Sequence, residues 1–499
     1  MMRAIAMGLF VLAMSGVASA QPDVAADDPP EADVKAAGPS YEIDGRVSTT
    51  ATLYSESASG EATPGNELAA PEDLMFTDLR ARASVARDDD RGLKGLADFR
   101  TRLTGDELGA RGYTGGSEYH LRRAYLEQRN KTTRFAAGRQ LIGEADAIRI
   151  DGITANFDAG GRWRYGAFAG AFPNPFSRSL DTDYKGIGSA SRVPVAGGAH
   201  ASYKAKTTYG SLAAATVVPR ENDVESPEPV RVFVAASGYT RLTPDIDFIH
   251  YGVFNLTGVG GAQVVSAQGT ANWRASRRVR LSLGASRMST YAVELYVRDL
   301  LETEDPQAEA GAPVQNNLAL VRIANTELRA AATLRIGDRS DIFAHVRGRQ
   351  RGALAATELP MEIAALDAES QVDVGGGARR RDLVAKIELA ARGAFISGTR
   401  TRSSYGNLSA RRSWFRSRLM SELVIGFIRF RDNCGEGEIA CTGTSIGTTV
   451  RGGGTLIYRT RHILFLGDYR AARLTSRVGG ESQPTITSHS VLARAQYSF

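Results

Sequence analysis

The sequence lacks any long hydrophobic run after its first 20 residues. A membrane-spanning helix requires about 18 or more consecutive apolar residues, so a bundle of transmembrane helices is excluded. The hydrophobic content is modest, at 42%, and the mean hydropathy is −0.22. These values suit either a soluble β-protein or a transmembrane barrel, because a barrel strand needs an apolar residue only at every second position. Composition alone leaves both classes open.

Cysteine and histidine are scarce, with two and six residues respectively. The histidines are scattered, and the sequence contains none of the spaced motifs of serine hydrolases, zinc proteases or phosphate-binding loops. We therefore predict no catalysis and no cofactor. Surface barrel enzymes, which assemble a site from distant strands, are the alternative, since spacing along the chain does not reveal such a site.

The two cysteines lie close together, with six residues between Cys434 and Cys441. In an oxidising compartment, this spacing predicts a local disulfide within one loop. Free thiols or a metal site are the alternatives, but no histidine lies near enough in sequence to support a metal.

Lysine is rare as well, since only seven of the 61 basic residues are lysine and the others are arginine. A GC-rich genome and a functional need for fixed positive charge explain this bias equally well. The net charge of +6 does not indicate nucleic-acid binding. The arginines alternate with apolar residues along strand-like segments and do not form an exposed basic stripe with stacking aromatics.

The first 20 residues have the features of a signal peptide. A basic start at Arg3 precedes an apolar run, and an A-x-A site predicts cleavage after Ala20. We therefore predict that the mature protein is exported. Residues 21–40 are acidic and rich in Ala and Pro, which predicts a disordered linker. Residues 41–499 are predicted to form the folded domain.

Polar and apolar residues alternate in segments of the folded domain, most clearly at 278–286, 341–351 and 381–395. This period of two is typical of β-strands whose two faces have different surroundings. Tight turns alternate with longer connections along the chain, whereas a β-sandwich has no reason to segregate its loop lengths. The pattern predicts a single transmembrane antiparallel up-and-down β-barrel with an even number of strands, about 18 to 22. The longer connections are then expected outside the cell and the tight turns in the periplasm.

If the apolar faces of these strands meet lipid, the charged residues between them point into the lumen. A basic side chain on the lipid face at mid-bilayer costs about 2–4 kcal/mol, so the inward orientation is favoured. The predicted pore-lining residues are Arg278, Arg280, His345, Arg347, Arg349, Asp382, Lys386, Glu388 and Arg392. Their excess of arginine favours a water-filled pore that attracts anions. The alternative is that these charges pair with one another and only stiffen the barrel.

An inward-folded loop would narrow such a pore. The candidates are the long connections at 298–324, with its acidic cluster Glu302, Glu304 and Asp305, and 173–195. The alternative, which we favour, is that both are ordinary solvated external loops.

The chain ends in an alternating segment with a final aromatic residue. Counting back by twos, its apolar face consists of Phe499, Tyr497, Ala495, Ala493 and Val491. This segment resembles the terminal strand of Gram-negative outer-membrane barrel proteins, in which such residues form the signal read by the barrel assembly machinery. The resemblance implies an outer-membrane location, contact with membrane lipid and the assembly machinery as a partner, but it does not indicate a cargo.

A second resemblance lies at 135–157, which looks like the GRQ…DG hairpin of porin-like and alginate-export-like barrels. Arg139 and Asp151 are the matching residues, and the resemblance implies a passive channel for anionic or polysaccharide solutes. A charged pair that closes an ordinary hairpin explains the same letters, and we favour that interpretation.

Together these features predict a passive, porin-like outer-membrane channel for small hydrophilic solutes, with some preference for anions. The alternative is a structural, assembly or polysaccharide-export barrel without general diffusion activity. Porin-like barrels are often trimers, which leaves a homo-oligomer open, although no interface is visible in the sequence.

The disulfide is directly testable. We expect the exported protein, denatured without reductant, to show no reactive thiol, and to gain two after reduction, because Cys434 and Cys441 are its two cysteines. Alkylation followed by mass spectrometry measures this. Two reactive thiols before reduction would contradict the pairing.

Overall fold

A computed structural model of the chain describes the strands and most of the tight turns. The described residues are 41–59, 73–87, 92–104, 118–173, 180, 184, 194–218, 230–257, 262–290, 323–353, 368–399, 401–415, 417–433, 444–478 and 480–499. No helix within these ranges is long and apolar enough to cross a membrane. The predicted signal peptide and linker, as well as Cys434 and Cys441, lie outside the described residues and stay predictions.

Antiparallel strands make up nearly all of the described structure. Their bounds are β1 (Tyr41–Ser59), β2 (Asp73–Arg87), β3 (Leu93–Thr104), β4 (Glu118–Arg129), β5 (Thr133–Ile142), β6 (Ile148–Ala159), β7 (Trp163–Ala171), β8 (Val195–Lys204), β9 (Thr208–Val218), β10 (Arg231–Thr243), β11 (Ile246–Asn255), β12 (Gln263–Trp273), β13 (Val279–Thr290), β14 (Ile323–Ile336), β15 (Ser340–Arg351), β16 (Glu369–Arg380), β17 (Ile387–Gly398), β18 (Thr401–Trp414), β19 (Leu419–Asn433), β20 (Thr444–Arg459), β21 (Ile463–Val478), β22 (Glu481–Ser482) and β23 (Thr485–Ser498). A single-turn 3-10 helix, Gly143–Ala145, lies between β5 and β6.

The sheet closes on itself. Each long strand pairs with its neighbours in sequence, and β1 pairs with β23 from Arg46↔Ser498 to Ser59↔Thr485. The two-residue strand β22 pairs only with the end of β21 and does not cross the wall. The wall therefore has 22 strands. This confirms the predicted antiparallel barrel with an even number of strands.

The pairing register gives the barrel an outer and an inner face, since directly paired residues point to the same side. On the outer face, large apolar side chains such as Ile153, Leu283 and Leu423 are 64–66% exposed. The alternation predicted for 341–351 is confirmed, and the irregular Phe343 shares the inner face with Arg347, which is paired to Asp373.

One predicted strand starts later than expected. We predicted a strand from residue 381, but β17 begins at Ile387, and residues 381–386 form the turn from β16. Asp382, Ala385 and Lys386 all have positive φ, between 52 and 61°. This left-handed conformation bends the chain and is incompatible with a strand. The alternating polar and apolar residues at 381–386 therefore belong to a turn and not to a strand.

Aromatic residues gather on the outer face near the rim that carries the tight turns, called here the short-turn rim. All three tryptophans of the chain, Trp163, Trp273 and Trp414, lie at strand ends on this rim. Trp163 packs against Tyr203, with ring centroids 4.9 Å apart. Such aromatic girdles are typical of the membrane–water interface, where an amphipathic ring has one apolar and one wet side.

The seam between β1 and β23 ends in a close contact. Gly45 and Phe499 exchange two backbone hydrogen bonds, each 3.0 Å, and the Phe499 ring lies directly over Gly45. A Cβ atom on residue 45 would come within 2.2 Å of the ring. Glycine at this position therefore provides the space in which the last aromatic side chain packs against the first strand.

Gly45→Ala should destabilise the barrel by about 1–3 kcal/mol, the usual cost of overpacking. Gly348→Ala is the matched control, because it adds a methyl group on the outer face of β15 where no atom lies within 4 Å. Guanidinium unfolding of the refolded barrels measures the effect. An equal midpoint for both variants would show that the contact contributes nothing.

Candidate functional site

The β5–β6 hairpin leaves the barrel wall part-way along its length. β4 pairs with β5 only as far as Ala124↔Arg139, and β6 pairs with β7 only as far as Asp151↔Ala171. Beyond these pairs, β5 and β6 remain paired with each other up to Ile142↔Ile148. The end of the hairpin is thus a free two-stranded arm, which we call the inner arm (residues 139–151).

Three glycines in register allow the bend. Gly138 pairs with Gly152, which pairs with Gly170, so that a line without side chains runs across β5, β6 and β7. Gly138 has a φ of 122°, which L-residues rarely adopt. A Cβ at residue 152 would lie 2.1 Å from the Ala169 carbonyl oxygen. The backbones approach closely here, and the arm turns inward at this line.

The tip of the inner arm packs against the inner face of β8 to β11. Ala145 and Ile150 are fully buried, at 0% exposure. The wall beneath them carries small or apolar inward-facing residues. The cluster around the tip contains Ile142, Ala145, Ile148, Ile150, Phe168, Ala196, Ala213, Ala215, Val217, Phe233, Ala235 and Val253. Each large side chain buried in this way contributes about 1.5–3 kcal/mol, so the arm is held mainly by the hydrophobic effect.

Polar contacts fix the position of the tip. Asp146 ends the 3-10 helix in a left-handed conformation, with a φ of 61°. Its carboxylate accepts a hydrogen bond from the Tyr251 hydroxyl of β11, and the Arg231 guanidinium of β10 lies 3.9 Å away. The arm is therefore tied to the wall on its far side as well as at the glycine line.

The base of the arm is closed by a buried ion pair. Arg139 is 6% exposed and donates two hydrogen bonds to Asp151, of 2.7 and 2.5 Å, and one of 3.1 Å to the Leu121 carbonyl oxygen of β4. The predicted charged pair is thus confirmed. It lies at the point where the hairpin leaves the wall, and not at the hairpin's turn.

Two residues of the β7–β8 connection cover the edge that the arm leaves behind. The backbone N–H of Leu180 donates to the Tyr119 carbonyl oxygen of β4, at 2.8 Å. The Tyr184 hydroxyl donates to the Asp151 carboxylate. Burial and this hydrogen bond raise the pKa of Tyr184 above its ordinary value. Leu180 therefore makes one backbone contact to β4 in place of β5, and Tyr184 adds a hydrogen bond at the base of the arm.

The structure shows an inward segment that lies outside both loops considered from the sequence, and it leaves the prediction for those loops untested. Residues 298–324 lie outside the described residues except for the last two. Of 173–195, Leu180 and Tyr184 lie at the wall, beside β4 and the base of the arm. The inward element that the structure shows is the inner arm. Gly138 and Gly152, within the GRQ…DG segment, were the sequence signal for it.

An arginine-rich wall lies on β2 and β3. Arg80 donates two hydrogen bonds to Asp98, of 3.0 and 2.8 Å, and Arg100 and Arg102 both donate to Asp78. All five side chains are on the inner face. Arg80 is nevertheless 43% exposed, which shows that it borders open space. Sequence reasoning had not singled out these residues.

A second charged wall lies on β13 to β17, where most of the predicted pore-lining residues occur. Arg347 pairs with Asp373 at 2.7 Å and reaches Glu327 at 3.9 Å, and His345 lies 3.3 Å from Asp373. The Arg392 guanidinium lies over the Phe343 ring, 5.7 Å from its centroid. The alternative that inward charges pair with one another is therefore realised for part of this set.

The structure divides the predicted pore-lining residues into two groups. Six lie on the inner face of strands: Arg280, His345, Arg347, Arg349, Glu388 and Arg392. Three lie in turns at the short-turn rim: Arg278, Asp382 and Lys386. For Asp382 and Lys386 the expected place on a strand was wrong, because the β16–β17 turn is longer than its alternating sequence suggested.

The arrangement leaves the lumen asymmetric. The inner arm thickens the wall on the side of β8 to β11 with apolar residues, whereas charged walls on β2–β3 and β13–β17 border the remaining space. Basic side chains outnumber acidic ones on both charged walls. Guanidinium groups therefore border the remaining space, and such groups have the charge and the paired N–H donors that anions accept from.

Comparisons with known proteins add no family assignment. No family model and no curated protein matches the chain. The barrel is similar to solved structures of OpdQ from Pseudomonas aeruginosa (TM-score 0.39, 6% identity), OccK2 (OpdF) from the same species (0.40, 9%) and OccAB2 from Acinetobacter baumannii (0.39, 7%). Each of the three alignments covers 92% of this chain and 98% of the solved chain. At such scores and identities, the likeness carries no information on function.

Ala145→Glu should release the inner arm, because it places a carboxylate in a fully buried apolar site, at a cost of several kcal/mol. Ala147→Glu adds the same charge to the same arm at an exposed position and serves as the control. Limited trypsin digestion of the folded barrels measures release through cleavage after Arg149. Equal cleavage in the two variants would contradict the packing described for the tip.

Proposed function

We propose that the protein is an outer-membrane β-barrel that acts as a passive, porin-like channel for small hydrophilic solutes and prefers anions. The observation that carries this proposal is the charge distribution of the closed barrel. The outer face is apolar over the middle of the strands, whereas the inner face is polar and rich in arginine. No catalytic step and no cofactor are part of the proposal.

Two features support insertion in a membrane. A closed sheet pairs every backbone N–H and C=O across neighbouring strands, which is the requirement for crossing a bilayer with strands. The apolar outer face ends in an aromatic girdle at the short-turn rim, formed by residues such as Trp163, Tyr203 and Tyr497. We place this rim in the periplasm and the long loops outside the cell, in line with the export signal predicted from the sequence.

Passive flow is supported by the exposure of the charged walls. A 22-stranded barrel is too wide for its wall side chains to fill. Arg80, Arg347 and Arg470, from three parts of the wall, keep 42–44% of their side-chain surface exposed. The inner arm covers only the side of β8 to β11. A water-filled passage is the arrangement that keeps these guanidinium groups solvated.

Anion preference follows from the excess of basic groups along this passage. Arg347 and Arg349 belong to the same inner wall, at positions paired to Arg329 and Glu327. Solutes pass such walls in water, where interactions with fixed charges are weak and reversible, so the barrel would select by charge without tight binding.

Replacing Arg347 and Arg349 with Ser should shift the reversal potential in a salt gradient toward cations, because two positive charges are lost and Asp373 loses its arginine partner. Single-channel recording in planar bilayers measures the shift. The control is Arg380→Ser with Arg412→Ser, which removes two arginines from the outer face at the short-turn rim.

An unchanged reversal potential in the double variant would contradict the basic pore wall. If the folded wild-type barrel passes no ion current at any voltage, the channel proposal fails, and a structural, assembly or polysaccharide-export role takes its place.

A further inference from the structure

Arginines also occur on the outer face, and five of them lie close together. Near the long-loop rim, adjacent strands β18 to β21 carry five outward-facing arginines, all of them exposed: Arg402, Arg429, Arg431, Arg473 and Arg477. We call this set the outer arginine patch. It faces away from the lumen, so a pore function does not account for it.

The register places these side chains close together. Arg402 pairs directly with Arg431, and Arg431 pairs with Ile446, which pairs with Arg477. With strands about 4.8 Å apart, three guanidinium-bearing positions lie within one row about 15 Å wide. Arg429 and Arg473 belong to the same face, two and four residues closer to the barrel middle.

Among the residues that the structure describes, the strands of the patch place no acidic side chain on its surface. None of the outward-facing positions described for β17 to β21 carries a carboxylate. This differs from the inner face, where Arg80, Arg347 and Arg379 each pair with an aspartate. Like charges directly opposite each other on neighbouring strands destabilise a sheet. The Arg402–Arg431 pair is therefore stabilised by an added negative charge, which no outward-facing side chain described on these strands supplies.

The patch lies immediately above the apolar outer face. Phe427 precedes Arg429 by one outward position, and Ile425 and Leu423 continue the apolar row toward the middle of the strand. If the barrel spans a membrane as proposed above, these arginines stand at the level of the lipid head groups on the long-loop side. The acyl chains of a lipid bound there would lie along Phe427 and Val450.

We propose that the outer arginine patch binds a lipid whose head group carries two phosphates, the chemistry of bis-phosphorylated lipid A. Guanidinium groups bind phosphate oxygens through paired N–H donors. The arginines form two groups, one on β18–β19 and one on β21, with β20 between them. The groups are about 10 Å apart, two strand spacings, so each group holds one phosphate. The hydroxyl of Thr448, on β20, lies between them as a further donor.

This inference rests on the membrane part of the proposed function and is independent of conduction. Native mass spectrometry of the full barrel in detergent, titrated with bis-phosphorylated lipid A, tests it. We expect one tightly bound lipid A molecule per barrel. Replacing Arg402, Arg431 and Arg477 with Ser should weaken binding about tenfold or more, because charge-assisted hydrogen bonds to both phosphates are lost.

Arg380→Ser with Arg412→Ser is the matched control, since it removes outward arginines from the opposite rim and should leave binding unchanged. Heat-modifiable migration on gels shows that each variant is folded. If the triple variant does not fold, Arg429→Ser with Arg473→Ser removes one arginine from each group and tests the same site.

Parallel titrations with other lipids identify the ligand. Monophosphorylated lipid A should bind about tenfold more weakly than the bis-phosphorylated form, and phosphatidylglycerol more weakly still. Equal binding of phosphatidylglycerol, or unchanged lipid A binding by both arginine variants, would overturn the site. Conductance recorded on the same preparations separates the proposals: a barrel that conducts without retaining lipid A disproves only the lipid site, and one that retains lipid A without conducting disproves only the channel.

Discussion

The structure depends on one constraint, the pairing of backbone hydrogen-bonding groups. In a bilayer, each unpaired N–H or C=O costs several kcal/mol, so a sheet that crosses it must have no free edge. The pairing of β1 with β23 removes the edge. Once the sheet is closed, every residue of a strand points either outward or to the lumen, and the period of two in the sequence follows. The arginines of the inner face are a consequence of the same division.

The inner arm is a local exception to this pairing, and the structure compensates for it. Where β5 leaves the wall, residues 118–123 of β4 lose their β5 neighbour. Leu180 donates a backbone hydrogen bond to this part of β4 instead. The arm keeps its own internal pairing from Arg139↔Asp151 to Ile142↔Ile148. Small residues such as Ala213 and Ala235 make room for it on the opposite wall. The inward position of the arm therefore depends on residues of strands β4 to β11.

The sequence predicted the fold well because polar and apolar residues alternate along a strand whose two faces have different surroundings. It predicted the inward position of Arg347 and Arg392 for the same reason. It failed at residues 381–386, since a turn built from left-handed residues can also alternate polar and apolar letters. The inner arm was missed because its packing on β8 to β11 depends on contacts far away in sequence. The outer arginine patch breaks the alternation, since Arg429 and Arg431 share parity with Phe427, and only the register showed that they face outward.

The closing seam also determines how the protein can fold. Arg46 pairs with Ser498, so the contact that completes the wall joins residues about 450 positions apart. Contacts between such distant residues form slowly, because the intervening chain must lose conformational entropy before the contacts can stabilise it. Until they form, β1 and β23 both offer unpaired edges that can join another chain. The seam therefore has the highest loop-closure cost of the strand pairings in the wall, and an assembly factor that brought β1 and β23 together would lower that cost.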